Sequence, residues 1–352
     1  MIDPTPHLAT VAGSLVSTPA GANTVINSTS QLATIAGKEI RDALRTHLLA
    51  LLAGFLVLAA LVSLTVSAVA LHAEYLSYIE SRDLLISLGK SVADLVPPAF
   101  FPLKLLRGFI EHVEIIGAVL AIVLGYRAAA VERGHSTLAL IMTRPLSQSV
   151  FLGGKLAGNM VLIAAGLAVT FVIGAVALAA ISGVGLDSSA LLRIFVVFCA
   201  ASLYAGSFFL LGFILALGMR RLPTALLVAF TVWLSLVLIA PQIGDTLDPD
   251  NQVAGGVFRT LGIAKPDEIE ILKSFKTFET ARDSIEQASP AKHFERFSFA
   301  VLGIKDIYNG QPVAEVIRDR AADLWWLLAI FATLVVVLFA RPLNLARLTR
   351  EQ

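Results

Sequence analysis

Few residues in this 352-residue chain are spaced for chemistry. Gly89-Lys90-Ser91 has the ending of a phosphate-binding loop, in which backbone N–H groups cradle the phosphates of a nucleotide. That motif needs a glycine five positions before its second glycine, and Leu84 stands there. Gly153-Gly154-Lys155 fails as well, because Leu156 replaces the required Ser or Thr. Glu111, His112 and Glu114 form the densest group of candidate ligands. At i,i+3 the two carboxylates share a helical face, with His112 directed elsewhere. Ionisable side chains at a membrane span mark transport pathways, so the three are candidate pathway or interface charges. A solvated helix end with Arg107 alongside is the simpler account of them. Four Met and six scattered His offer no transition-metal site. Cys199 is the sole cysteine, which excludes an intrachain disulfide or a cysteine metal cluster, and it reads as a small core residue. No Ser-His-Asp pattern is present. No catalytic, cofactor-binding or metal-ligating set emerges, and the residues point away from catalysis on this chain.

The elements that would carry these residues are dictated by composition. Hydrophobic residues make up 57% and charged residues 15% of the chain, with a mean hydropathy of +0.80. Soluble domains sit nearer 45–50% and about 25%. The excess lies in blocks longer than the ~18 residues that a bilayer span requires. This excludes a soluble enzyme, and a net charge of +1 offers no basic surface for nucleic acid.

The chain therefore reads as an all-α integral membrane protein with about six transmembrane helices. Residues 1–30, Ser/Thr/Gly-rich and nearly uncharged, form a flexible arm without the basic start of a signal peptide. Residues 31–46 make an amphipathic helix, with Leu32, Ile35, Ile40 and Leu44 against Lys38, Arg41 and Arg45. Within 47–243 lie five spans, near 47–72, 109–130, 156–182, 191–219 and 222–243. Residues 324–340 form the sixth, and 341–352 are a tail. The segment 73–108, interrupted by Pro97, Pro98 and Pro102, is expected at the interface or dipping into it. Residues 244–323 are a small helical insert. Pro266 with Asp267 and Glu268, then Ser289-Pro290, then Pro312 mark its helix starts, the last running into the sixth span. Lys and Arg crowd the short loops on the side of both termini, whereas the link 183–190 has none, so both termini are expected in the cytoplasm and the insert outside it.

Between the second and third spans, 127–155 is charged and glycine-punctuated, yet carries the apolar run Leu138, Leu140, Ile141, Met142. Here the residues carry a resemblance. Glu132, Gly134, Thr137-Leu138, Leu140, Pro145, Gly154-Lys155 and Gly158 resemble the signature loop of ABC-2-type transporter permeases, with Gln148 where an Arg is frequent. The stretch KEIRDALR, residues 38–45, resembles the elbow helix of the branch that includes nitrous-oxide reductase maturation permeases. The resemblance implies a dimer of permeases in the inner membrane of a prokaryote, an exporter driven by separate ABC-type ATPase subunits that hold the ATP and Mg. The loop residues Glu132, Arg133, Gly134, His135, Thr137, Leu138 and Pro145 would couple to that ATPase, with Glu132, Arg133 and His135 in polar contact. Membrane lipid is a partner, and the insert is expected either to form a helical lid over the outer mouth or to dock an extracytoplasmic protein. The spans alone fit two other classes, an ATPase-independent transporter or channel and a membrane scaffold. The loop has no evident task in the first, and the second would lack ATP-dependent substrate movement.

Overall fold

Inside lipid, every backbone N–H and C=O of an apolar run must be satisfied within the protein, and helices do so from their own residues. The computed structural model is accordingly helical, with no strand among the described residues. It describes residues 28–89, 101–134, 147–247 and 284–340, with the isolated positions 261, 263, 267 and 280. Six helices among these are long and apolar enough to cross a membrane: Ala53–Ser87, Pro102–Arg133, Gln148–Ser182, Ser188–Gly218, Leu222–Ile243 and Ala321–Ala340.

The amphipathic helix is α1, Ser28–Arg45, and none of its residues is fully buried. The first span belongs to α2, Leu48–Ser87, a helix of 40 residues. At 1.5 Å per residue it is about 60 Å long, roughly twice the ~30 Å hydrocarbon core. This corrects the expectation for 73–108, since residues 73–87 continue the first span instead of lying apart from it. No proline or capping residue stops the helix there. Glu74, Glu80, Arg82 and Asp83 change what surrounds it without breaking it. Residues 90–100, with Pro97 and Pro98, lie outside the described residues.

The second span is built in four pieces: a 3₁₀ turn Pro102–Leu106, α3 Arg107–His112, a π segment Val113–Gly117 and α4 Ala118–Gly134. Next come α5, Gln148–Ser182, and α6, Ser188–Gly218. Their N-termini are capped by Ser147, whose Oγ accepts from Val150 N at 3.3 Å, and by Asp187, whose Oδ1 accepts from Ala190 N at 2.9 Å. Such caps contribute ~1 kcal/mol each. Gly183, at φ +66°, closes α5 in the left-handed region that glycine alone enters freely. The fifth span joins α7, Leu222–Trp233, a π segment Leu234–Ile239 and α8, Ala240–Leu247. Beyond it, α9 is Pro290–Val301, starting at the expected Ser289-Pro290 signal, with Ser289 Oγ accepting from Lys292 N at 3.3 Å. After Pro312 come α10, Val313–Asp319, and α11, Ala321–Ala340. Arg320 separates these two helices, so the run into the sixth span is broken once.

The tightest seam joins α4 to α6. A side-chain carbon on Gly125 would lie 2.1 Å from Phe209 O, and one on Gly212 would lie 2.5 Å from Ile122 O. Lipid tails are as apolar as leucine, so close backbone approach through small residues is what holds membrane helices together.

The described part of the insert is not a solvated appendage. Ala291, Phe294, Phe297, Ala300 and Val301 of α9 are buried against α6, α11 and the π segment 234–239. Phe294 stacks on Tyr204 of α6 at 4.8 Å, and His293 Nδ1 meets Asp323 Oδ1 of α11 at 2.7 Å. Arg193 of α6, 4% exposed, donates to Val301 O at 2.6 Å and also to Gln311 O. Cys199, expected in the core, is exposed on the outer face of α6.

Gly212→Ala is expected to lower the thermal stability of the detergent-solubilised protein by ~1–3 kcal/mol through overpacking. Gly54→Ala, in α2 with nothing within 4 Å, should leave it unchanged or higher. Equal melting of the two variants would show that the α4–α6 seam is not close-packed.

Candidate functional site

Of the residues that carried the resemblance, Lys38, Glu39, Glu132, Gly154, Lys155 and Gly158 converge at the end of the bundle where α1 sits. Two glycines one turn apart on α5 make the seat. A side-chain carbon on Gly154 would lie 2.7 Å from Ile35 Cβ, and one on Gly158 would lie 2.8 Å from Ala36 O. The amphipathic helix thus rests on α5 through a small-residue groove, with Leu32 also reaching Gly153.

Between these glycines lies Lys155, 2% exposed. An ammonium so deeply withdrawn from water costs several kcal/mol unless it is paired. Its Nζ donates to Glu39 Oε1 of α1 at 2.7 Å and to Ala128 O of α4 at 3.1 Å, and lies 3.1 Å from Glu132 Oε1. Glu132, at the end of α4, is also 2% exposed, and its Oε1 accepts from Lys38 Nζ at 3.1 Å. Asn159 Nδ2 donates to Glu39 Oε2 at 3.2 Å and to Lys155 O at 2.9 Å. Two lysines and two glutamates form one neutral network tying α1, α4 and α5 together. Burial opposes the charge on Lys38, yet the Glu132 carboxylate, with Glu39 and Asp42, outweighs it and raises the Lys38 pKa. A raised folded-state value means that this outer pair is intact below the ordinary lysine range. It is lost only as pH climbs through the raised value, well above neutrality.

Arg133 follows Glu132 and turns the other way. Its guanidinium donates to Ala216 O at 2.7 Å, Met219 O at 2.8 Å and Arg220 O at 2.8 Å. These are carbonyls at the C-terminus of α6, where helix carbonyls lack internal partners and the dipole favours a cation. Glu132 and Arg133, expected in polar contact with another protein, are thus both engaged inside this one. Gly134 ends α4. His135, Thr137, Leu138 and Pro145 lie outside the described residues.

The other candidate group is split by its backbone. Arg107 Nε donates to Glu111 Oε1 at 3.1 Å on an exposed turn, and His112 Nδ1 donates to Gly108 O at 2.7 Å. Glu114 does not share the face of Glu111. It falls in the wider π turn and is 7% exposed, and its backbone carbonyl accepts from Tyr204 Oη at 3.0 Å. The solvated-end reading thus holds for Glu111 and fails for Glu114. Lys155 and Glu39 were missed as a site. Lys155 was visible as part of a motif, but its pairing with Glu39, 116 positions away, has no local signal. Among the described residues no group of three or more His, Cys, Asp or Glu could hold a metal ion.

Six spans, a seated amphipathic helix and a charged joint beside the second-to-third-span loop define a polytopic helical membrane protein. The model of the ABC-2 family transporter protein matches residues 33–345, and the chain belongs to that family, whose members are membrane subunits of ABC transporters. No curated protein matches the chain.

Removing the Lys155 ammonium would leave Glu39 without its cation and Glu132 with Lys38 alone. Lys155→Met is expected to cost ~3–5 kcal/mol, as for breaking a buried ion pair from one side. Lys38→Met removes a half-exposed partner and should cost at most ~1 kcal/mol. Thermal melts of both variants in one detergent decide it, and an equal loss in the two would place the weight of the joint elsewhere.

Proposed function

We propose that this chain is the permease subunit of an exporter, working as a dimer and driven by separate ABC-type ATPase subunits that carry ATP and Mg. KEIRDALR, residues 38–45, supports a place nearest the branch of nitrous-oxide reductase maturation permeases. The observation that carries the mechanism is the joint of Lys38, Glu39, Glu132 and Lys155. It sits at both roots of the 135–146 segment, because Glu132 and Arg133 end the helix before it and Lys155 lies in the first turns of the helix after it.

In this reading an ATPase grips the segment between the two roots. Movement imposed there reaches α4 and α5 together, since Glu132 and Lys155 are directly paired. It reaches α1 through Glu39 and Lys38, and the end of α6 through Arg133. The joint transmits as one body because neither Lys155, Glu39 nor Glu132 can leave without stranding a buried charge. The contact with the ATPase itself falls to His135, Thr137, Leu138 and Pro145, with Glu132 and Arg133 positioning them.

Two measurements test this reading. Co-expressed with an ABC-type ATPase, the wild-type permease should retain it through purification, whereas His135→Ala combined with Leu138→Asp should release it. The variant permease should still insert and melt like wild type. Undiminished retention of the ATPase would remove the segment from its assigned role. For orientation, in a Cys199→Ala background, a cysteine at Ser284 should react with an impermeant reagent from outside the cell. One at Ser136 should react only after permeabilisation, and the reverse pattern would overturn cytoplasmic termini.

A further inference from the structure

The joint does not close completely. Between α1, α4 and α5 it leaves a cleft of ≈ 280 Å³. Its polar wall has a charge pattern that the internal network leaves over. Arg45 and Arg127 line the cleft, and neither has an ion-pair partner among the described residues. Asp42 lines it as well, without a direct ion pair among those residues. Glu132 contributes an orphan: Oε1 serves both lysines, while the buried Oε2 has no hydrogen-bond partner among the described residues. A buried carboxylate oxygen without a donor costs ~1–3 kcal/mol or more. Oε2 is closed off from the cleft, so the groups the cleft itself offers are two spare cations and the exposed carboxylate of Asp42.

A second opening of ≈ 60 Å³ lies next to it along the same helices, and its lining is wholly apolar. Leu124 belongs to both. On each helix the order is the same. Along α4 the polar cleft takes residues from Leu124 to Glu132, and the apolar opening takes Gly117 to Leu124. Along α5 the cleft takes Lys155 and Asn159, and the opening takes Leu162 to Leu167. The N-terminal wall passes from Arg45 and Thr46 to Ala53 and Leu56 of α2. A charged compartment at the membrane edge thus lies next to an apolar one directed toward the bilayer middle. That is the outline of a lipid and not of a soluble ion, which would have no use for the lower compartment.

The charges choose among lipids. A purely anionic headgroup would satisfy Arg45 and Arg127 but would face Glu39, Asp42 and Glu132. A quaternary ammonium carries no N–H to give to a carboxylate, whereas a primary ammonium has three. We propose that the cleft binds a phospholipid with a primary ammonium headgroup, its phosphate on Arg45 and Arg127 and its ammonium on Asp42. One acyl chain lies against Leu124 and Gly166. The site requires only this chain and is independent of any ATPase.

Competition among headgroups tests it. The protein is reconstituted into vesicles of equal parts phosphatidylethanolamine, phosphatidylcholine and phosphatidylglycerol, re-extracted in mild detergent, and its retained lipid is weighed by native mass spectrometry. The expected result is one phosphatidylethanolamine per chain, enriched at least fivefold over either competitor. Gly166→Leu, in space where nothing lies within 4 Å, should abolish the enrichment by filling the acyl compartment. Arg45→Ala combined with Arg127→Ala should abolish it by removing the phosphate contacts. Both variants should melt like wild type in lipid-free detergent. Equal retention of phosphatidylcholine, preference for phosphatidylglycerol, or undiminished enrichment in the Gly166→Leu protein would each overturn the site. Should either variant fail to fold, the wild-type competition decides alone.

Discussion

A lysine buried at the edge of a membrane cannot remain charged unless carboxylates come to it, and much of this bundle is arranged so that they do. Lys155 is 2% exposed. Its two carboxylate partners come from different helices, both earlier in the chain, Glu39 on the amphipathic helix and Glu132 at the end of the second span. Bringing Glu39 within 2.7 Å requires α1 to lie directly on α5, which the absence of side chains at Gly154 and Gly158 permits. Reaching Glu132 requires α4 to end beside the start of α5, and this sets the distance that the intervening segment must bridge. The seat of α1, the spacing of the second and third spans and the rigidity of the joint follow from one desolvated charge.

The same constraint recurs wherever the backbone departs from a regular helix. Irregular backbone at membrane depth is tolerated only where protein groups satisfy it. The π segment 113–117 has Tyr204 on the Glu114 carbonyl, and the π segment 234–239 has Ser289 on the Leu236 carbonyl at 2.6 Å. Ser289 also caps α9, so one hydroxyl both starts that helix and repairs its neighbour. Arg133 supplies three donors to the frayed end of α6. Helix breaks and their repairs thus tie the second span to the fourth and the fifth to α9, making the described part of the insert a structural member of the bundle.

How much of this was legible depends on the range of the signal. The six spans were visible because apolar length is a local property. So were the starts at Ser289-Pro290 and Pro312, and the amphipathic character of α1 with Leu32 and Ile35 on its inner face. The long reach of α2 was hidden because charges at 74–83 resemble the end of a span while leaving the helix intact. The π turn at 113 was hidden too, and with it the burial of Glu114, since a uniform 3.6-residue period puts that carboxylate beside Glu111. The buried joint was half legible. Glu132, Gly154, Lys155 and Gly158 stood out as a pattern, with Glu132 expected to face another protein. Only the folded arrangement, which pairs residues more than 90 positions apart, shows that Glu132 is already spoken for.

Arg193 imposes an order on biogenesis. It sits in the first turns of the fourth span, yet the carbonyls that receive its guanidinium belong to Val301 and Gln311, 108 and 118 positions later. At about 5–20 residues per second, the ribosome needs several seconds or more to supply them. Throughout that interval the fourth span carries an arginine near the membrane boundary without its final partners. The guanidinium must stay with headgroups and water, holding that end of α6 near the surface. When α9 arrives, it relieves the arginine and lets the helix settle. The last third of the chain therefore completes the middle, and a protein truncated before residue 301 would retain five apolar spans while lacking the means to seat its fourth.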